Sequence, residues 1–205
     1  WTVTELLDMP SPSWALQDAR LGIVASLSDV ERMDTAVARV FAQAVGELES
    51  LGAEVVTVDL DLGLSSGPGI YCRRFRYDVA RYLASLGTAA PITDPLQAYE
   101  AGAFDPASEN TLRRSVDAPL DVPPSEWENG CPDFWENPGR QAFREHVEAT
   151  MDDNDLRALI YPTWTSPPAP IDRANEEYRG DNSQRVAPAS GLPATPLVRM
   201  IMRSR

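Results

Sequence analysis

Two short runs decide how this chain folds: Leu21-Gly22-Ile23-Val24-Ala25 and Ala53-Glu54-Val55-Val56-Thr57-Val58, with a helix-like stretch between them. The first is a brief apolar run with polar residues after it, the pattern of a buried strand. Asp34 then stands where an N-cap belongs. Val37, Val40, Phe41, Ala44, Val45, Leu48 and Leu51 recur at helical spacing, which predicts a helix with one broad buried face. Gly52 supplies the left-handed position that ends it, and the β-branched second run is the next strand. Strand, helix and strand over residues 20–60 make a βαβ unit with parallel strands and a right-handed crossover. The fold class is therefore α/β.

Outward from this unit the spacing predicts a second helix over 68–86, with Pro68 in its first turn and Gly87 closing it. Its inward stripe reads as Tyr71, Phe75, Val79, Tyr82 and Leu86, while Arg74, Asp78 and Arg81 fall at charge-pairing intervals. Residues 88–138 are proline-rich and less regular, with short helices expected near 95–101 and 106–114. A third helix is expected over 138–151, with Ala142, Phe143, Val147 and Met151 inward. Arg157-Ala158-Leu159-Ile160-Tyr161 then reads as another buried strand, stopped by Pro162. There is no internal repeat.

Composition narrows the functional classes. Of 205 residues, 18 are basic and 31 acidic, a net charge of −13, and that field opposes nucleic acids and anionic membranes. No nucleic-acid or membrane partner is expected. All 18 basic residues are arginine. Without lysine there is no P-loop lysine, no Schiff base and no Ser–Lys pair. Cys72 and Cys131 read as two separate thiols in a long chain, which suggests a reducing, cytoplasmic setting. The chain starts at Trp1, and Leu197-Val198-Arg199-Met200-Ile201-Met202-Arg203-Ser204-Arg205 ends it without turn chemistry. The expectation is a piece of something longer.

Several polar groupings invite chemistry. Ser65-Ser66-Gly67-Pro68-Gly69 could present a serine oxygen, but nothing nearby in sequence supplies a base, so it reads as an ordinary loop. His146, the single histidine, lies mid-helix with no partner to complete a triad and reads as a packing residue. Asp152-Asp153-Asn154-Asp155 begins like a calcium loop but lacks both the turn glycine and the twelfth-position glutamate. Glu126, Glu128, Asp133 and Glu136 stand among Trp127, Phe134 and Trp135, a superficial likeness to carboxylates on a sugar platform. One histidine and two distant cysteines make no metal site, and no cofactor is expected. Asp181-Asn182-Ser183-Gln184 is the most telling cluster, because Asn182 and Gln184 both donate and accept, which suits amide recognition.

Four segments resemble the amidase signature family, which includes acylamide amidohydrolases and the A subunit of glutamyl-tRNA amidotransferase. Ala19-Arg20-Leu21-Gly22-Ile23-Val24 is similar to the strand that follows the family's signature region. Leu51-Gly52-Ala53-Glu54-Val55-Val56 resembles its helix-to-strand turn. Asp155-Leu156-Arg157-Ala158-Leu159-Ile160-Tyr161-Pro162-Thr163 resembles its strand ending in Pro-Thr. Ala189-Ser190-Gly191-Leu192-Pro193-Ala194 resembles its Gly-Leu-Pro-Ala turn, after which Thr195-Pro196-Leu197-Val198 would start another strand.

The resemblance implies a mixed β-sheet covered by helices, with residues 1–205 forming one incomplete domain, the C-terminal half of an amidase. It implies hydrolysis of a carboxylic amide through a serine activated by a second serine and a lysine. Those three residues belong to the other half, and no catalytic residue carries over. The expected partner is a small-molecule amide, and homodimerisation is left open. Trp164, Asn182 and Gln184 are the candidate substrate-binding residues: an apolar face on a loop stiffened by Pro167 to Pro170, and two placed amides. The alternative is a non-catalytic α/β binding or assembly module, such as a subunit of an amidotransferase complex.

Overall fold

The computed structural model describes residues 16–66, 70–128 and 130–194. In chain order the main elements are β1 (Arg20–Val24), α1 (Thr35–Ser50), β2 (Glu54–Val58), α2 (Phe75–Ser85) and α3 (Pro95–Glu100). There follow α4 (Glu109–Ser115), α5 (Pro138–Asp153), β3 (Ala158–Ile160), α6 (Ala174–Glu177) and α7 (Ala187–Ser190). The fold is mixed α/β. It divides into two units, one built from residues up to Leu62 and from Phe143 onward, the other from Gly63–Ala142. α5 begins in the second and continues into the first.

The first unit holds the sheet. Its order is β2-β1-β3 and both pairings are parallel, with Gly22 opposite Val56 on one side and Leu159 on the other. Among the described residues every strand is parallel, so the mixed sheet implied by the resemblance is not seen there. The central strand β1 is the most buried of the three, as a strand flanked on both edges must be. The Asp34 carboxylate caps α1 by accepting from the Ala36 N–H at 2.8 Å. Gly52 ends the α1–β2 turn at a φ of +94°.

The expected broad buried face of α1 is not there. No residue of this helix is fully buried; Val40 and Leu51 are 59% and 50% exposed. The reason is position: α1 packs mainly on β2, and among the described residues β2 is an edge strand with no further strand beyond it to widen the platform. The core lies elsewhere, where Val24, Leu27 and Leu60 meet Phe143 and Val147 of α5 and Val186 and Ala189 around α7. Phe143 and Val147 are one helical turn apart and face the same way.

α5 ends in a turn that also settles the calcium-like run. Asp155 takes a φ of +52°, its N–H donates to the Asp152 carbonyl at 3.1 Å, and the Leu156 N–H donates to the Met151 carbonyl at 2.8 Å. The Asn154 carbonyl accepts from Arg20 Nε at 2.8 Å, so the run is a helix stop fastened to β1. Among the described residues no group of three or more His, Cys, Asp or Glu side chains is arranged to hold a metal.

The second unit has no sheet among its described residues. α2 starts at Phe75, seven residues later than expected; Gly67, Pro68 and Gly69 lie outside the described residues. Its phase also differs from the expected stripe. Tyr77 is the buried residue, packed edge-to-face on Trp127 with ring centroids 6.1 Å apart, while Phe75, Tyr82 and Leu86 are exposed. The helix is oriented by an arginine fork in place of an apolar stripe. Arg76 donates from Nε and Nη2 to the Asp94 carboxylate, at 2.7 Å for the shortest contact, and from Nη1 to the Val116 and Ala118 carbonyls.

The reading of two separate thiols is overturned: Cys72 and Cys131 form a disulfide, with Cα atoms 5.9 Å apart. Sequence separation hid it, because 59 residues of proline-rich chain fold back to bring the two together. The reducing, cytoplasmic setting inferred from free thiols loses its ground. No helix among the described residues is long and apolar enough to cross a membrane.

Candidate functional site

Open parallel sheets bind ligands beyond the carboxyl ends of their strands, in the crevice between neighbouring connections. In the first unit two of the connections that leave those ends are residues 25–34 after β1 and residues 161–181 after β3. They are tied together by backbone and by one buried side chain. The Asp34 N–H donates to the Thr165 carbonyl at 2.9 Å. Asn182 is buried, and its Nδ2 donates to the Leu27 carbonyl at 3.1 Å and to the Pro162 carbonyl at 3.0 Å. One amide group therefore joins the exits of β1 and β3.

The long loop closes on itself as a two-residue ladder. Trp164 and Asp181 face each other in an antiparallel bridge, flanked by Thr165 N–H to Gly180 carbonyl at 2.8 Å and Asn182 N–H to Thr163 carbonyl at 2.9 Å. Gly180 has a φ of +78°, and a Cβ there would lie 2.3 Å from Thr165 Oγ1 and 3.0 Å from the Ser166 nitrogen. Only glycine permits so close an approach.

Trp164 is half-buried, with Tyr178 edge-on to it at 5.0 Å and 87°. The Tyr178 hydroxyl donates to Asp181 Oδ2 at 2.9 Å, and the Ser183 N–H donates to Oδ1 at 2.8 Å. Hydrogen bonds from Ser183, and then from Tyr178, hold the Asp181 carboxyl below the usual carboxylate range. In return, the bond to Asp181 pushes the Tyr178 phenol up.

Beside this ladder lies an open cleft of about 390 Å³, lined by Met33, Asp34, Thr165, Ser166, Arg179 and Gly180 among others. With Glu31 and Arg32 it offers two carboxylates, two hydroxyls and two guanidinium groups, which suits a polar ligand, and its described lining contains no nucleophile paired with a base. Trp164, Asn182 and Gln184 do not line it. Trp164 and Asn182 share the loop junction, whereas Gln184 sits on the exposed turn after them.

Sequence reading missed Arg179 and Ser28. Arg179 borders the cleft as the neighbour of the tightly approached Gly180. The Ser28 hydroxyl is the buried side-chain polar atom without a hydrogen-bond partner among the described residues. Only its place at a strand's carboxyl end could have drawn attention to it.

The other candidates take structural places. His146 Nε2 accepts from the Asp61 N–H at 3.1 Å. Ser65 is buried in a single-turn helix, Leu62–Ser66, and Ser66 is exposed. Asp133 pairs with Arg74 at 2.8 Å, and the Trp127 indole donates to the Val122 carbonyl at 3.1 Å.

No family model and no curated protein matches this chain. The solved structure "Crystal structure of PAM12A" is similar, with a TM-score of 0.62 at 18% identity over 90% of this chain. The chain spans 39% of the length of that protein chain. At this identity the likeness is one of fold: the α/β arrangement described above recurs within a longer polypeptide.

Proposed function

We propose that this chain is the non-nucleophilic part of an enzyme that hydrolyses carboxylic amides, forming sheet core and pocket roof. The observation that supports the reading is the position of the four family-like segments. They fall on β1, on the α1–β2 turn, on β3 with its Pro162-Thr163 exit, and on the α7–Gly191 turn, all in the first unit. Under this reading Trp164 contacts the acyl group and Gln184 orients polar groups flanking the amide. Asn182 spends both amide protons on Leu27 and Pro162, so it acts by positioning the loop that carries Trp164.

A second reading, a non-catalytic assembly module, is favoured by the half-buried Ala158, Leu159 and Ile160 of β3 and by the two edge strands of the sheet. Both readings call for another polypeptide, and one experiment separates them. The isolated chain should neither react with a fluorophosphonate probe nor turn over aryl amides. Joined to the polypeptide encoded upstream, it should do both, and Trp164→Ala should shift the kcat/KM preference between short and long acyl amides. Labelling of Ser65 or Ser66 in the isolated chain overturns the proposal, and so does an upstream sequence without a lysine and a glycine-serine-rich stretch.

A further inference from the structure

The second unit carries a hollow of about 590 Å³ that the amide reading does not use. Tyr71, Phe75 and Trp135 line it while remaining 55%, 46% and 63% exposed. Three ring side chains held open to water around one hollow make up the kind of exposed apolar surface that marks a binding site. Trp135 and Tyr71 are set in place by neighbours. Phe134 packs edge-on against Trp135 at 4.7 Å. The Arg140 guanidinium lies 4.2 Å from the Phe134 ring centroid and 5.4 Å from that of Tyr71. The Cys72–Cys131 disulfide forms part of the wall.

The polar groups of the hollow narrow the ligand. Its charged side chains are two arginines, Arg74 and Arg140, and two aspartates, Asp78 and Asp133, so the lining is neutral as a whole. Arg74 binds both aspartates, with Nη2 3.1 Å from Asp78 Oδ1 and Nη1 2.8 Å from Asp133 Oδ1. Each of these carboxylates engages Arg74 through Oδ1 and has acceptor capacity beyond that contact. A charged ligand would meet no net field of opposite sign. An uncharged molecule with one apolar face and an edge of hydroxyls matches both halves of the lining: C–H groups lie on the rings, and hydroxyls donate to the aspartates.

From this we infer that the hollow is a binding site for a neutral saccharide, with Trp135 as its stacking platform and Asp133 as a hydroxyl acceptor. No bond is made or broken there. The inference stands apart from the amide proposal and survives its failure.

The test is calorimetric titration of the full chain with maltohexaose, cellohexaose and chitohexaose, each up to 10 mM. At least one should bind. Trp135→Ala and Asp133→Asn should each weaken that affinity at least tenfold, Trp135→Phe should restore part of the loss, and Tyr82→Ala on the exposed side of α2 should change nothing. Melting temperatures within about 2 °C of the parent would show that each variant folds. Absence of binding by all three sugars overturns the inference, as does binding that Trp135→Ala leaves intact. A proline-rich peptide that binds where the sugars do not overturns it in favour of a peptide groove.

Discussion

The two units are held together by different physics. The sheet unit rests on apolar burial: Val24, Phe143 and Ala189 are completely enclosed, and Val147 nearly so. The Gly63–Ala142 unit has few enclosed apolar side chains among its described residues and relies on a disulfide, a five-bond arginine fork and cation–ring stacking. Apolar burial acts through area and tolerates imprecise partners, whereas a fork or a disulfide demands particular atoms. The difference governs how each unit should fail.

The largest effect should come from the sheet unit's core. Phe143→Ala removes a completely buried ring and should cost about 3–5 kcal/mol in denaturant unfolding. A loss under about 1 kcal/mol would mean the core is not where the two helices and β1 place it. Next comes the staple. Replacing Cys72 and Cys131 by serine opens a loop closed across 59 residues, worth about 2–4 kcal/mol. Amide exchange should show this loss in Gly63–Ala142 and spare the protected amides of β1. Equal loosening of both units would erase the contrast.

A smaller effect is expected from the fork. Asp94→Asn should cost about 2 kcal/mol, the scale of charge-assisted hydrogen bonds. It should also change the acid sensitivity of the second unit. Arg76 holds the Asp94 carboxyl below its usual value, so the pair contributes stability above the ordinary carboxylate range and loses it as pH falls through the lowered pKa. In the Asn variant that acid-dependent step should disappear from melting curves between about pH 5 and 2. Smallest of all is Val40→Ala on α1. Its side chain is more than half exposed, and the loss should stay near 0.5 kcal/mol. A cost above about 2 kcal/mol would mean that α1 buries the face the periodicity predicts.

That last contrast shows what sequence could convey. Period and caps located β1, α1, β2, α5 and β3 within a few residues, since those signals are local. Asp34 capped the helix it was expected to cap. Burial is not local: the apolar stripe of α1 says which side faces the sheet, not how much sheet lies beneath it. In the second unit the local signal misled, because Arg76 and Tyr77 orient α2 through partners 18 and 50 residues away, and no period encodes them. The disulfide was hidden for the same reason. At the candidate site, the Asp181–Gln184 cluster stood out by composition. That Asn182 would face inward, joining two strand exits, depended on a strand paired across more than a hundred residues.

The parallel pairing of β1 with β3 has a consequence during synthesis. β2 ends at residue 58 and β3 begins at residue 158, so about 100 residues leave the ribosome between them. At about 5–20 residues per second this interval lasts roughly 5–20 s. Through all of it the β1 edge that will receive β3 is an apolar strand with unpaired backbone groups, open to pairing with another nascent chain. The intervening Gly63–Ala142 segment has its own ties and can form them meanwhile. Its early closure would shorten the distance that β3 must search, making the stapled unit a timing element for the sheet.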